Sequence, residues 1–218
     1  MRFRLQVVIA AAVAGILCVC GLAQTVAGLY EARGGAALEA VPAEDVTAGV
    51  AAFGSAQRWW SNPADRFSQG LLTMRLAVGA PGGQFDRARL EAASILFEQS
   101  LAEAPAEAKV WAALADARLL AGGPSASAAD ALAMSIELAR YEPTLLALRC
   151  EMAIRMYALL DATRKAELDE QIQMLARHSA GDLVRVVRST QRLDIVIKAL
   201  EGDNATLNGF QNALRYVR

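Results

Sequence analysis

The chain has 218 residues, with 22 lysines and arginines against 23 aspartates and glutamates and a formal net charge of −1. That balance excludes a global field that would draw it to nucleic acid or to an anionic surface, so a charged partner must meet a local patch. Hydrophobic residues make up 55% of the chain but aromatics only 6%, and the excess of alanine and leucine, which lose little rotamer freedom in a helix, favours helix over strand.

Residues 5–30 come first. No charged side chain stands between Arg4 and Glu31, and residues 7–23 are purely apolar. A helix over 5–30 rises about 39 Å, more than the ~30 Å hydrocarbon core of a bilayer. Arg2 and Arg4 precede the run and acidic residues dominate after it, so the positive-inside rule predicts a single-pass helix with its N-terminus cytoplasmic and the C-terminal domain periplasmic, held in an inner (cytoplasmic) membrane. A cleaved secretory signal is the alternative, with sites at Gly21-Leu22-Ala23 or Thr25-Val26-Ala27. The apolar core is longer than the ~7–15 residues usual for a signal, which favours a retained anchor. Ala11, Ala14, Gly15 and Cys18 recur at helical spacing and form a small-residue ridge suited to close packing with another transmembrane helix. Cys18, Cys20 and Cys150 make neither a disulfide framework nor a metal cluster. The residues before Cys18 and Cys20 lack the small side chain that directly precedes a lipidated cysteine.

After a glycine- and alanine-rich link over 31–42, the pattern predicts an all-α domain with no alternating strand signal. Expected helices cover 43–60, 64–78, 86–104, 108–121, 125–141, 144–160, 163–178, 182–200 and 206–217. Breaks are signalled at Asn62-Pro63, Gly79 to Gly83, Pro105, Gly122-Gly123-Pro124, Pro143 and Gly181, because proline lacks the amide a helix needs and glycine accepts the left-handed exit. Short connections imply antiparallel neighbours. Thr144 stands where an N-cap is expected, and Glu151 and Arg155 are spaced for a helical ion pair.

Ala93, Phe97 and Pro105, followed by Trp111, Leu114 and Ala115, resemble a tetratricopeptide-repeat junction: the second helix of one repeat, its closing proline, and the Trp-x-x-Leu-small opening of the next. A second unit continues through Ala131 to Pro143, longer than the usual repeat by the residues around Gly122-Gly123-Pro124, and Arg118 occupies a position where tyrosine is usual. The resemblance covers two to three degenerate repeats over 43–160, with 161–218 similar only in being helical. It implies an array of antiparallel helical hairpins whose concave groove binds peptides or proteins and which is not itself an enzyme.

No chemistry-bearing motif competes with that reading. His178 is the lone histidine and sits at a helix end that suits a cation, and Glu167, Asp169 and Glu170 read as a solvated face. No catalytic, metal-binding or cofactor-binding residue is assigned, and no small-molecule substrate is expected. Two binding candidates remain. Arg185, Arg188 and Arg192 are spaced to share one helix face, for an acidic partner or lipid headgroups. Trp59 and Trp60 point about 100° apart on a helix, so one is expected in the core and the other as an anchor at a protein or membrane interface. The expected function is a membrane-anchored, extracytoplasmic scaffold that binds membrane-associated protein in an envelope assembly; the alternative is a structural subunit of a membrane complex whose transmembrane helix makes the main contacts.

Overall fold

A computed structural model describes the backbone of residues 2–39, 43–79 and 83–216, and side chains over 12–39, 44–79 and 83–216. Among the described residues the chain forms α-helices, one short 3-10 turn and no strand. Contacts divide it into two compact units, Met1–Glu103 and Ala104–Arg218.

The first unit contains α1 (Arg2–Glu39), α2 (Ala43–Trp59), α3 (Pro63–Val78) and α4 (Arg87–Glu103). Each packs against the next as an antiparallel neighbour, and α1 also touches α3. The stretch read as a link is different: residues 31–39 are the continuing turns of α1. The small residues responsible for that expectation are there to admit α2. A Cβ at Gly34 would lie 2.7 Å from the Phe53 ring, and one at Gly49 would lie 2.2 Å from the Ala37 Cβ. Ala37, Val46, Phe53 and Leu72 form the core where three helices meet. Between α3 and α4, the Phe97 ring occupies the space a Cβ at Gly70 would need, with Phe67 tilted against it at 6.0 Å.

The second unit contains α5 (Ala108–Gly122), α6 (Ala126–Leu138), α7 (Pro143–Arg155), a 3-10 turn (Tyr157–Leu159), α8 (Ala162–His178), α9 (Ala180–Thr190), α10 (Leu193–Leu200) and α11 (Asn204–Tyr216). Successive hairpins stack: α7 lies against both α5 and α9, and α8 against α10. Arg164 on α8 reaches Asp130 on α6 at 2.7 Å, so α6 and α8 are also neighbours. The terminal helix α11 packs on α8, α9 and α10 through the fully buried Phe210.

Local chemistry explains most boundaries. Pro63 and Pro143 open α3 and α7 at the first helical position, where a missing amide costs nothing. The cap of α7 is therefore Glu142, which accepts from the Thr144 amide at 3.4 Å and its hydroxyl at 2.9 Å; Thr144 lies inside the first turn. Asn62, Ser125, Asp161 and Ser179 cap α3, α6, α8 and α9 in the same manner.

The single helix expected over 182–200 is two. Ser189 and Thr190 hydroxyls both donate back to the Val186 carbonyl, at 3.1 and 2.7 Å, and Gln191 adopts the left-handed conformation at φ 57°. Hydroxyls that bond the preceding turn compete with the backbone ladder, and the left-handed residue ends it.

Candidate functional site

The stacked first helices of the hairpins bring together a partly buried charged group in the second unit. Asp116 on α5 faces Glu151 and Arg155 on α7. Burial, then the Glu151 charge, raises the Asp116 carboxyl to about 6, with Arg155 opposing. Arg155 in turn donates to Glu151 at 2.5 Å, the ion pair expected from the spacing. At the N-terminal ends of the same two helices, Glu107, Ala108 and Lys109 face Glu142, Thr144 and Leu145 across an open cavity of about 280 Å³. Trp111, read as the opening residue of a repeat, is half-buried and donates its indole N–H to the Pro105 carbonyl at 2.8 Å. Ala93, Phe97, Leu114, Ala115 and Ala131 are buried, as their expected packing roles require.

On the second-helix layer, a cleft of about 420 Å³ lies between α6 and α8, lined by Ile136, Glu137, Arg140, Asp161, Arg164 and Glu167 among others. Its arginines are already engaged: Arg140 donates to Glu170 at 2.6 Å and Arg164 to Asp130 at 2.7 Å. These bonds tie α6 and the residues just after it to α8.

The three arginines do not form one stripe. Arg185 and Arg188 lie on α9, while Arg192 lies beyond the break at Gln191, as the N-cap of α10. Arg185 pairs with Asp182. Arg192 pairs with Asp194 at 2.8 Å and stands 5.7 Å from the centre of the Tyr157 ring. The left-handed residue rotates Arg192 out of the register the spacing implied.

Trp59 and Trp60 are both exposed, at 51% and 40%, whereas one was expected in the core. α2 ends at Trp59 and its buried stripe runs instead through Val46, Ala52, Phe53 and Ala56. Ala14, Gly15 and Cys18 are exposed along α1, and among the described residues nothing beyond the helix's own backbone comes within 4 Å of a Cβ at Gly15; Ala11 lies outside the residues whose side chains are described. His178 is exposed in the last turn of α8. Cys150 is fully buried, and burial pushes its thiol up to about 12, which makes it inert at neutral pH. No group of three or more metal-ligating side chains occurs among the described residues.

Two buried charged residues were not anticipated. Arg149 on α7 is fully buried. It donates to the Ser135 carbonyl at 2.6 Å, the Ser135 hydroxyl at 2.9 Å and the Ala139 carbonyl at 2.7 Å, satisfying the orphan carbonyls at the end of α6. Asp65 on α3 is 4% exposed, and its Oδ2 has no hydrogen-bond partner. Burial, then the charge of Glu31 on α1 and a hydrogen bond with that carboxyl, raise Asp65 to about 7, with Arg66 opposing. A sequence signal existed for both: each stands on its helix's buried stripe, Asp65 seven residues before Leu72 and Arg149 between Leu146 and Ala153.

The Asp65 carboxyl has a raised folded-state pKa, so the folded unit binds a proton that the unfolded chain releases at lower pH. Its contribution to stability is fully present below about 4 and is lost as pH rises to about 7. The melting temperature of the first unit should therefore fall over that window in the native protein. Asp65→Asn should flatten that part of the profile, read by calorimetry between pH 4 and 8; an unchanged slope would contradict it.

No family model, curated protein or solved structure matches the chain.

Proposed function

We propose that this chain is a membrane-anchored, extracytoplasmic scaffold whose tetratricopeptide-like hairpins bind a segment of another envelope protein along the α5–α7–α9 face. The observation that carries the reading is the stacking of hairpins that begin at Ala108, Pro143 and Ala180, intervals of 35 and 37 residues, near the ~34 of a tetratricopeptide repeat. Such arrays offer the first helix of each hairpin to a groove-bound peptide. On that face, Asp116, Glu151 and Arg155 supply a compact charged group, and the cavity beside Lys109 and Leu145 supplies room. The anchor in this reading is α1, whose residues Ala12–Glu39 include a window apolar enough to cross a membrane.

The test is co-purification from detergent-solubilised membranes using three forms of the chain: intact, truncated before Gln24, and intact with Glu151→Lys and Arg155→Glu together. The truncation stops at Gln24 because Ala27 is already 1% exposed and belongs to the folded unit. A partner held by the first two forms and lost from the third supports the scaffold. Loss on truncation alone would assign the main contacts to the transmembrane helix instead, and retention by all three would remove the groove.

A further inference from the structure

The first unit folds back toward the apolar segment from which it emerges. Because α1 and α2 are antiparallel, residues facing each other have numbers that fall on one side as they rise on the other. Gly49 faces Ala37 and Phe53 faces Gly34; lower down, Tyr30 and Arg33 share a cavity with Ala52 and Ser55. Continued by one turn, that register sets Trp59 and Trp60 level with Ala27 and Val26. The burial of Ala27 and Ala56, at 1% and 0%, matches it. An independent contact agrees: Asp65, in the first turn of α3, meets Glu31, so the 59–63 turn lies beside residues 26–31 of α1.

Ala27 and Val26 lie inside the charge-free run. Counting back from Val26 by the ~30 Å hydrocarbon thickness, about 20 residues of helix, reaches Val7, where the purely apolar stretch begins. The tryptophans therefore stand at the height of the outer edge of the bilayer, still half-exposed within their own unit. Tryptophan is enriched at that depth because its ring is apolar and its indole N–H is polar. Arg58 directly precedes the pair and is exposed, with a long stem that can keep its charged head in the headgroup layer.

We infer that Trp59 and Trp60 are a membrane-interface anchor: they insert into the interfacial lipid around α1 and seat the first unit directly on the bilayer. This rests on α1 being a retained span. The occupant is lipid because the exposed rings continue the exposed apolar surface of α1, where Leu22 and Leu29 are 65% and 69% exposed. The anchor fixes the height and tilt of the unit relative to the membrane, which a flexible tether would leave free.

The test reconstitutes the full chain into phosphatidylcholine vesicles in which the acyl chains carry bromine either close to the headgroup or close to the chain end. Tryptophan emission is compared between the native chain and Trp59→Phe/Trp60→Phe, which keeps Trp111 as an internal reference. The expected result is loss of emission from shallow bromine, smaller loss from deep bromine, and disappearance of that loss in the double variant. A chain that resists carbonate extraction yet shows equal quenching in both forms would overturn the anchor while leaving the span intact. Protection from aqueous iodide without lipid quenching would also overturn it, by showing that protein covers the rings. A chain extracted by carbonate would overturn the retained span, and the anchor with it.

Discussion

Gly49→Val should lower the melting temperature of the first unit by roughly 5–20 °C, from an overpacking cost of about 1–3 kcal/mol in a domain of this size. A Cβ at position 49 meets the Ala37 Cβ at 2.2 Å and Leu72 Cδ1 at 2.9 Å. The alanine methyl cannot rotate away, so α1 and α2 must separate or shift. Because that contact joins the end of α1 to the core of Ala37, Val46, Phe53 and Leu72, the whole unit feels the change. Gly35 is the internal control: it lies on α1, two residues before Ala37, with no contact within 4 Å of an added Cβ among the described residues. Gly35→Ala should be neutral or raise stability by about 0.5–1 kcal/mol through lower chain entropy in the unfolded state. Calorimetry of the detergent-solubilised chain reads both, and equal behaviour of the two variants would contradict the close approach of α1 and α2.

Arg149→Ala should destabilise the second unit by about 3–5 kcal/mol, combining a large-to-small cavity with carbonyls left unpaired. The guanidinium reaches the Ser135 carbonyl, the Ser135 hydroxyl and the Ala139 carbonyl at once, and Ser135 passes the connection on by donating to the Ala108 carbonyl at 2.7 Å. One side chain on α7 thus ties the end of α6 to the start of α5, the joint between two hairpins. Arg149→Lys keeps the charge but cannot span these acceptors with one ammonium, so it should recover only part of the loss. Ser135→Ala combined with Arg149→Ala should cost less than the sum of the two single changes, since both remove the same network. Denaturant unfolding of the four forms checks this; full recovery by lysine or strict additivity would contradict it.

The helical course of the chain was legible because its signals are local. Proline and glycine punctuation, apolar stripes such as Leu90, Ala93, Phe97 and Leu101, and capping residues act within one or two turns. What escaped was non-local or contradicted a local cue. Residues 31–39 looked like a link because glycine and alanine are ambiguous between flexibility and close packing; only the presence of Phe53 and Gly49 on α2 decides for packing. Prolines 63 and 143 looked like stops although each opens the following helix. The break at Gln191 removed Arg192 from the stripe of Arg185 and Arg188, and its cue, Ser189-Thr190, was weaker than the run of apolar residues on either side. Asp65 and Arg149 stand on the buried stripes of their helices, but a charged residue is by default given to the surface, and that default outweighed the stripe. Of the proposed contact residues, the tryptophans were identifiable as unusual from their adjacency, but their level against α1 depends on the helix pairing, which adjacency does not reveal.

In the proposed function α1 is a retained membrane helix, and it continues without interruption into the folded unit, so that anchor and domain are one element. Peptide mapping of the chain recovered from carbonate-washed membranes tests it most directly. Peptides covering residues 5–30 should be present, and the chain should stay in the membrane pellet. An N-terminus that begins just after Ala23 or Ala27, on protein released to the soluble fraction, would contradict it.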